Sequence, residues 1–442
     1  MSRLSKNQMF IGFWILTFLA HALILFAVIP MASQRLRASY NQNEYTDGYD
    51  LLANNLADGL GYRMYPDTAP TLMREPGYPL LLAGIFCTFG NNFTVVKLAN
   101  MLMAFLVAWL ITRLASEFST SRVVLLGAPL VFLFHPGTLV AESRGGVELL
   151  FTLMLTLFIC SFYAALKQKA YWSYALSGAV LGLTVLVRSI PLLFPLFLLA
   201  YLLVRDWEIG SAFRALRNVA LMVLTMLLVI SPWIVRNYSL TGRFVPTASV
   251  IGVSAQTGQF ILTHHSEDGR RVDREAAAVR NDLARELGYP FRDGYYQCFY
   301  SSVDELKFSS FLLKRVAAEY RESPGLFARV LATNVLYFWV GGKTTDSIKL
   351  NFVVQLPFLL LAIVGIARGV RGGQLKLIAP ILLLIVYSIG VSAPILAQAR
   401  YSVPLVPYLA IYVCIPFAAA NERFRRGELA LIPAGPQKNT DI

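Results

Sequence analysis

Apolar residues in this chain come in long runs separated by short polar ones, not in strict alternation. Runs of roughly 20 apolar residues read as membrane-spanning helices. Such runs lie near 10–31, 95–114, 122–140, 147–166, 173–187, 190–204, 217–234, 350–367, 376–393 and 402–419. Two further apolar segments, Tyr78 to Phe89 and Leu326 to Val340, are ambiguous. The first, at about 12 residues, is too short for a hydrocarbon core about 30 Å thick. The second ends in Tyr337, Phe338 and Trp339, an aromatic close of the kind found at membrane interfaces.

Composition agrees with the pattern. Of 442 residues, 56% are hydrophobic and 15% charged, against about 25% charged in a soluble domain. The net charge of +13 raises the question of a nucleic-acid partner. The excess sits in small clusters between apolar runs, with no basic stripe carrying interleaved aromatics, so nucleic acid is set aside. If both ambiguous segments lie along the outer surface, every basic cluster falls on one side of the membrane. These clusters are Arg3 and Lys6; Arg113 and Arg122; Lys167 and Lys169; Arg205, Arg214 and Arg217; Arg368, Arg371 and Lys376; and Arg423, Arg425 and Arg426. If both segments cross, three of the clusters move outside. The positive-inside rule therefore favours ten spans over twelve, with both termini cytoplasmic and MSRLSK heading an uncleaved first span.

The expected fold class is an all-α polytopic membrane protein of about ten (ten to twelve) transmembrane helices, with juxtamembrane helices in a large first extracytoplasmic loop. Residues 1–234 form the main transmembrane module including the outer loop 32–94, residues 235–349 a second extracytoplasmic region, and 350–442 the last spans and a cytoplasmic tail. No internal repeat marks a transporter's symmetry. Cys87, Cys160, Cys298 and Cys414 are too scattered for a disulfide framework or metal site, and the four histidines pair only at His264-His265. No metal is expected.

The first outer loop carries a helical pattern. At 100° per residue over 43–60, Glu44, Asp50, Asn54 and Asp58 lie within about 60° of Asp47. Tyr45, Tyr49, Leu52, Leu56 and Leu60 face the other way, and Gly59 and Gly61 end the run. One reading is a helix resting on the membrane with its acids in water. Against it, helices that merely lie on lipid favour Lys and Arg on the polar face. Acids followed by Arg63 and Arg74 instead suit a site needing both a base and an anion binder.

The order of short motifs carries a resemblance. "LANNLADGLGY" is followed by "REPGYPLLLAG", a span with Lys97 and Asn100, "HPGTLVAESRGGVELLF", "GAVLGLTVLVRS", "SPWIVRNYSLTGRFVP" and "ARYSVPLVP". Over about 10–420 the chain resembles the bacterial GT-C glycosyltransferases of the dolichyl-phosphate-mannose–protein mannosyltransferase type. The lipid A aminoarabinose transferase and the protein O-mannosyltransferases belong to the same broad group. The resemblance implies a polyprenyl-phosphate-linked sugar as donor, transfer on the outer face of the bacterial inner membrane, and no cofactor beyond the donor. It matches the acceptor's base to Asp47, with Glu44 close behind and Asp50 a further choice of register. It matches the phosphate ligand to Arg74. The acceptor, a lipid, a glycan or a protein, stays open.

The chemistry explains these residue types. Sugar transfer from phosphate to hydroxyl needs a carboxylate to take the proton and a cation to stabilise the leaving phosphate. Arginine makes two parallel bonds to phosphate oxygens. Arg63, Arg74, Arg144, Arg236, Arg243 and Arg400 are available in the outer loops. Arg144 either binds substrate or snorkels to the interface. Arg188, close to the bilayer core in "VLVRSIP", is functional by default, and Arg400 is the only basic residue of its short loop. Glu148 either serves the site or pairs with Arg144 one turn earlier. Tyr78 and Tyr401, from the "PGYP" and "RYSVP" motifs, complete the expected substrate-binding set. His135-Pro136 reads as a helix terminator.

Two alternatives carry different signatures. A lipid-linked polysaccharide polymerase or ligase would rest on Arg236, Arg270 and Arg271. A flippase or transporter would want ionisable residues inside its spans, where His21 stands almost alone.

Overall fold

The computed structural model describes residues 6–31, 47–205, 209–264 and 269–418. Glu44, His265, Arg3 and the cluster Arg423 to Arg426 lie outside the described residues. Among the described residues the regular structure is helical except for one short ribbon. Its helices are α1 (Lys6–Leu23), α2 (Tyr49–Ala57), α3 (Gly77–Phe89), α4 (Phe93–Phe118), α5 (Arg122–Leu133), α6 (Pro136–Ser143), α7 (Glu148–Gln168), α8 (Tyr171–Val187) and α9 (Phe194–Arg205). They continue with α10 (Ile209–Thr241), α11 (Ile251–Thr263), α12 (Gly269–Glu286), α13 (Ser302–Glu322), α14 (Pro324–Val340), α15 (Thr345–Arg371), α16 (Leu375–Ser392) and α17 (Val406–Cys414). Strands β1 (Phe291–Arg292) and β2 (Cys298–Phe299) pair antiparallel, Phe291 opposite Phe299.

Seven described helices are long and apolar enough to cross a membrane, and each overlaps a run anticipated from the pattern. The run 122–140 is a pair, α5 and α6, bent by 46°. Pro136 opens α6, and His135 caps it by accepting the Gly137 amide on Nδ1 at 3.1 Å. Taken as one, the pair makes an eighth span. The runs 173–187 and 190–204 form helices shorter than a bilayer asks for, meeting at Arg188 and Ser189. The two ambiguous segments are α3 and α14, and neither is among the seven.

The core is one continuous apolar cluster through α3 to α10 and α15 to α17. Helix α17 is buried on every side, from Val406 to Cys414. A helix apolar all round belongs in a centre, not at a lipid face. Close approach between α8 and α10 depends on small residues: a Cβ on Gly178 would collide with the Met222 carbonyl and the Thr225 hydroxyl, and one on Gly182 would sit 2.7 Å from Val229 Cβ. Gly178→Val is therefore expected to separate the two helices and lower the thermal midpoint in detergent by several degrees, an overpacking cost of roughly 1–3 kcal/mol. A midpoint unchanged from wild type, followed by fluorescence or light scattering, would contradict this packing.

A second, smaller apolar cluster around Ala284, Phe299, Phe308 and Leu312 joins α11, α12, α13 and the ribbon into a second packed unit. Helices α11 and α13 cross so closely at Gly252 that its position meets the Ser309 backbone. A buried carboxylate joins this unit to the segment after α2. Glu305 accepts the Thr71 hydroxyl at 2.7 Å, the Leu72 amide at 2.9 Å and the Ser249 hydroxyl at 2.6 Å. Burial pushes the Glu305 carboxyl up against those three bonds.

Candidate active site

Helix α2 is shorter than the expected 43–60, and Asp47 stands before it. Asp47 (φ 56°) and Gly48 (φ 78°) are both left-handed. Aspartate tolerates that region better than most residues and glycine freely. A Cβ on Gly48 would come within 3.1 Å of the Tyr296 ring. Gly59 and Gly61 end the element as expected, with φ of 73° and 84°. The simple surface helix is not what forms. Asp50 and Asn55 are buried along with Tyr49, Leu52 and Ala53, because Tyr62, Met64, Met73, Tyr296 and Cys298 pack over the helix. Asp58 is exposed.

Arg74 reaches Asp47 along the same loop. Its Nη2 donates to the Asp47 carbonyl at 3.2 Å and its guanidinium lies 5.3 Å from the Tyr49 ring centre. The backbone carrying it is fixed from two sides. Tyr62 donates its hydroxyl to the carbonyls of Arg74 and Glu75, each at 3.0 Å. Arg236, stacked 4.5 Å from the Trp233 ring centre, donates to the Thr71 carbonyl at 2.9 Å. The Ser189 amide donates to Glu75 at 2.9 Å, drawing the end of α8 alongside.

The decisive partner comes from the far end of the chain. Arg400, in the 3-10 turn Ala399–Leu405 that leads into α17, donates Nη1 to the Asp47 carboxylate. The same nitrogen is 3.6 Å from Glu148 Oε1, and Arg188 Nη1 is 4.0 Å from that oxygen. Asp47, Arg400, Glu148 and Arg188 thus form a chain of alternating charge. Arg188 also stacks on Tyr401, 4.7 Å from its ring centre. Burial pushes the Asp47 carboxyl up, but Arg400, Arg74 and Lys343 outweigh it and hold it well below the usual carboxylate range.

A cavity of about 110 Å³ opens on these residues, lined by Asp47, Arg74, Arg400 and Tyr401. Asp273, Arg280, Tyr295, Tyr296, Gln297 and Lys343 line it as well. Lys343 Nζ meets Asp273 Oδ2 at 2.9 Å. Arg280 donates Nη1 to Gln256 at 2.9 Å and to Thr257 at 2.8 Å. Burial lowers Arg280 to about 10, with Tyr295 and Asp273 opposing.

Of the expected residues, Asp47, Arg74, Arg400 and Tyr401 meet in the cavity, with Glu148 and Arg188 directly behind. Neither Glu148 nor Arg188 lines it, and Arg63, Tyr78 and Arg144 lie farther off. Arg63 donates to the carbonyls of Pro66 and Thr68 within its own turn. Tyr78 is fully buried, edge-on to Tyr49 with ring centres 5.2 Å apart. Arg144 follows α6 as its C-cap, so it and Glu148 sit on different helices and not one turn apart on one. Its carbonyl accepts from Asn100 at 3.0 Å. Sequence reasoning missed Asp273, Arg280 and Lys343. A signal existed for two of them: Asp273 and Arg280 fall in the helical stripe Val272, Ala276, Ala277, Ala284 that α12 buries, and charges within an apolar stripe need partners.

The described residues thus form an all-α membrane bundle with a charged cavity, and a comparison with family models supplies the class. Residues 70–235 match the family model described as dolichyl-phosphate-mannose-protein mannosyltransferase. The chain is a membrane glycosyltransferase of the GT-C type, related to that family through the matched residues, which include Arg74, Glu148 and Arg188. A comparison with curated proteins gives no match.

Proposed function

We propose that this glycosyltransferase moves a sugar from a polyprenyl-phosphate donor to an acceptor hydroxyl at the extracytoplasmic face of a bacterial inner membrane, both termini being cytoplasmic. The observation that carries the reading is the meeting of Asp47 and Arg74, from one loop, with Arg400, from the far end of the chain, on one cavity. Arg74 and Arg400 take the donor phosphate and stabilise it as it leaves, and Tyr401 and Arg188 set Arg400 in place. Asp47 receives the acceptor proton. The polymerase or ligase alternative has weaker support, since Arg236 clamps the Thr71 segment and Arg271 is an exposed partner of Glu275 at 2.8 Å.

The resting ion pair gives the reaction an order. While Arg400 holds Asp47, that carboxylate is a feeble base. A donor phosphate that engages Arg400 and Arg74 neutralises the charges that depress Asp47, so its proton affinity rises towards the ordinary range. The acid limb of kcat, which reports the loaded enzyme, is therefore expected at higher pH than the acid limb of donor kcat/KM, which reports the free enzyme. Limbs that coincide, or that run the other way, would mean that donor and Asp47 do not share these arginines.

The class itself is tested by incubating detergent-purified protein with radiolabelled polyprenyl-phosphate sugars. Consumption of one donor supports the reading. Inertness towards mannose, glucose, galactose and aminoarabinose donors alike would overturn it.

A further inference from the structure

The cations lining the cavity, Arg74, Arg280, Lys343 and Arg400, outnumber its carboxylates, Asp47 and Asp273, by two. Glu148 and Arg188 behind it cancel each other. A polyprenyl-phosphate sugar is a phosphodiester with a single negative charge, so the donor at rest answers half of this surplus. Transfer changes the count. The bond between the anomeric carbon and the phosphate oxygen breaks, and its electron pair stays on that oxygen. The acceptor oxygen bonds to the anomeric carbon and its proton passes to Asp47. The departing lipid phosphate is then a monoester, with a second negative charge that was born in the transition state. A fixed cation does most for the rate when it meets a charge that develops there.

Lys343 is placed for that charge. Arg280 is buried and bonded to Gln256 and Thr257, and Arg74 and Arg400 serve the charge that the donor brings. Lys343 lies in the link between α14 and α15, where the Gly341 carbonyl accepts the Ala399 amide at 2.9 Å. The link is thus tied, backbone to backbone, to the turn that carries Arg400. Thr344 and Ser347 cap α15 reciprocally, and a Cβ on Gly342 would collide with the Ser347 hydroxyl, so the link has little room to shift. From there the Lys343 ammonium interacts with the charges of both Asp47 and Arg400. Its ion pair with Asp273 at 2.9 Å does not use it up. An ammonium carries three N–H donors, and Asp273 takes one. Burial lowers the Lys343 ammonium, but Asp273 and Tyr295 more than compensate, so it stays a cation. Resting on the glycosyltransferase reading above, we infer that Lys343 is a further catalytic residue. It bonds the lipid phosphate as that group gains its second charge, so the cavity prefers a phosphate monoester to the diester from which it comes.

The test uses the full-length protein in detergent and two probes, decyl phosphate, a monoester, and methyl decyl phosphate, a diester. Binding of each is measured by calorimetry at pH 8, well above the monoester's second pKa of about 6. Wild type is expected to bind the monoester about tenfold more tightly than the diester, the worth of one charge-assisted hydrogen bond. In Lys343→Gln that preference should shrink to about twofold or less while diester affinity holds, and Lys343→Arg should recover part of it. With a radiolabelled polyprenyl-phosphate sugar, Lys343→Gln should lower kcat by about 10²-fold and leave the donor KM within about threefold. Asp273→Asn, which frees the third N–H, should strengthen the monoester preference and keeps the idea testable should Lys343→Gln fail to fold. A wild type that binds both probes alike overturns the inference. So does a Lys343→Gln variant that keeps the monoester preference, or one whose donor KM rises at unchanged kcat. Donor consumed without any monoester preference sinks this inference alone, whereas a wild type that consumes no donor sinks the glycosyltransferase reading and this inference with it.

Discussion

Asp47→Asn lowers sugar transfer by about 10²–10⁴-fold in the expected outcome, the worth of a positioned general base, or ~3–5 kcal/mol of barrier. Asparagine keeps the shape of the side chain and the tolerance of left-handed backbone that the Asp47-Gly48 turn demands. The fold should survive, so the loss would be chemical. Donor binding should tighten, because Arg400 loses the carboxylate that it holds at rest. The measurement is transfer per molecule of membrane-inserted protein, with donor KM from the same data. Near-normal turnover would exclude Asp47 as the base and direct attention to Asp50, buried on α2, or to Glu44.

Arg400→Ala is expected to cost about 10²–10³-fold, comparable to losing one fixed hydrogen-bond donor from a developing anion. Arg400→Lys should recover part of that, limited because an ammonium is a point charge and not a planar fork. A second readout separates charge placement from phosphate binding. Without Arg400, buried Glu148 keeps, among the described residues, Arg188 at 4.0 Å as its ion-pair partner, so the thermal midpoint should fall. Adding Glu148→Gln to Arg400→Ala should restore stability while leaving transfer lost. A double variant that regains transfer would make the chain of alternating charge purely structural.

The pattern of apolar runs showed the membrane helices because a span must be long and apolar whatever its neighbours are. It showed Gly59 and Gly61 as terminators for an equally local reason. It misjudged where α2 begins, since the left-handed turn at Asp47 and Gly48 is set by Tyr296 and Met64 arriving from elsewhere. The acidic stripe looked water-facing for the same reason: the residues that cover it lie between 62 and 298. Arg74 lay within reach of a motif. Arg400 stood out only as a cation in the wrong loop, and nothing local says that it meets Asp47 353 residues away. Lys343, in the link between α14 and α15, offered no signal, because its worth comes from Asp273 on α12.

The burial of α17 bears on how the protein is made. Its span, Ala399–Phe417, is the least apolar of the seven and the most enclosed, with 78% of its window buried. Lipid alone gives it little reason to stay in the bilayer, so it depends on a slot left by α4, α5, α7 and α15. It is also the last of the seven to be synthesised, and Arg400 enters with it. The cavity is therefore incomplete throughout translation. A nascent or truncated chain, with its other spans already in the membrane, would have no Arg400 and so no complete cavity.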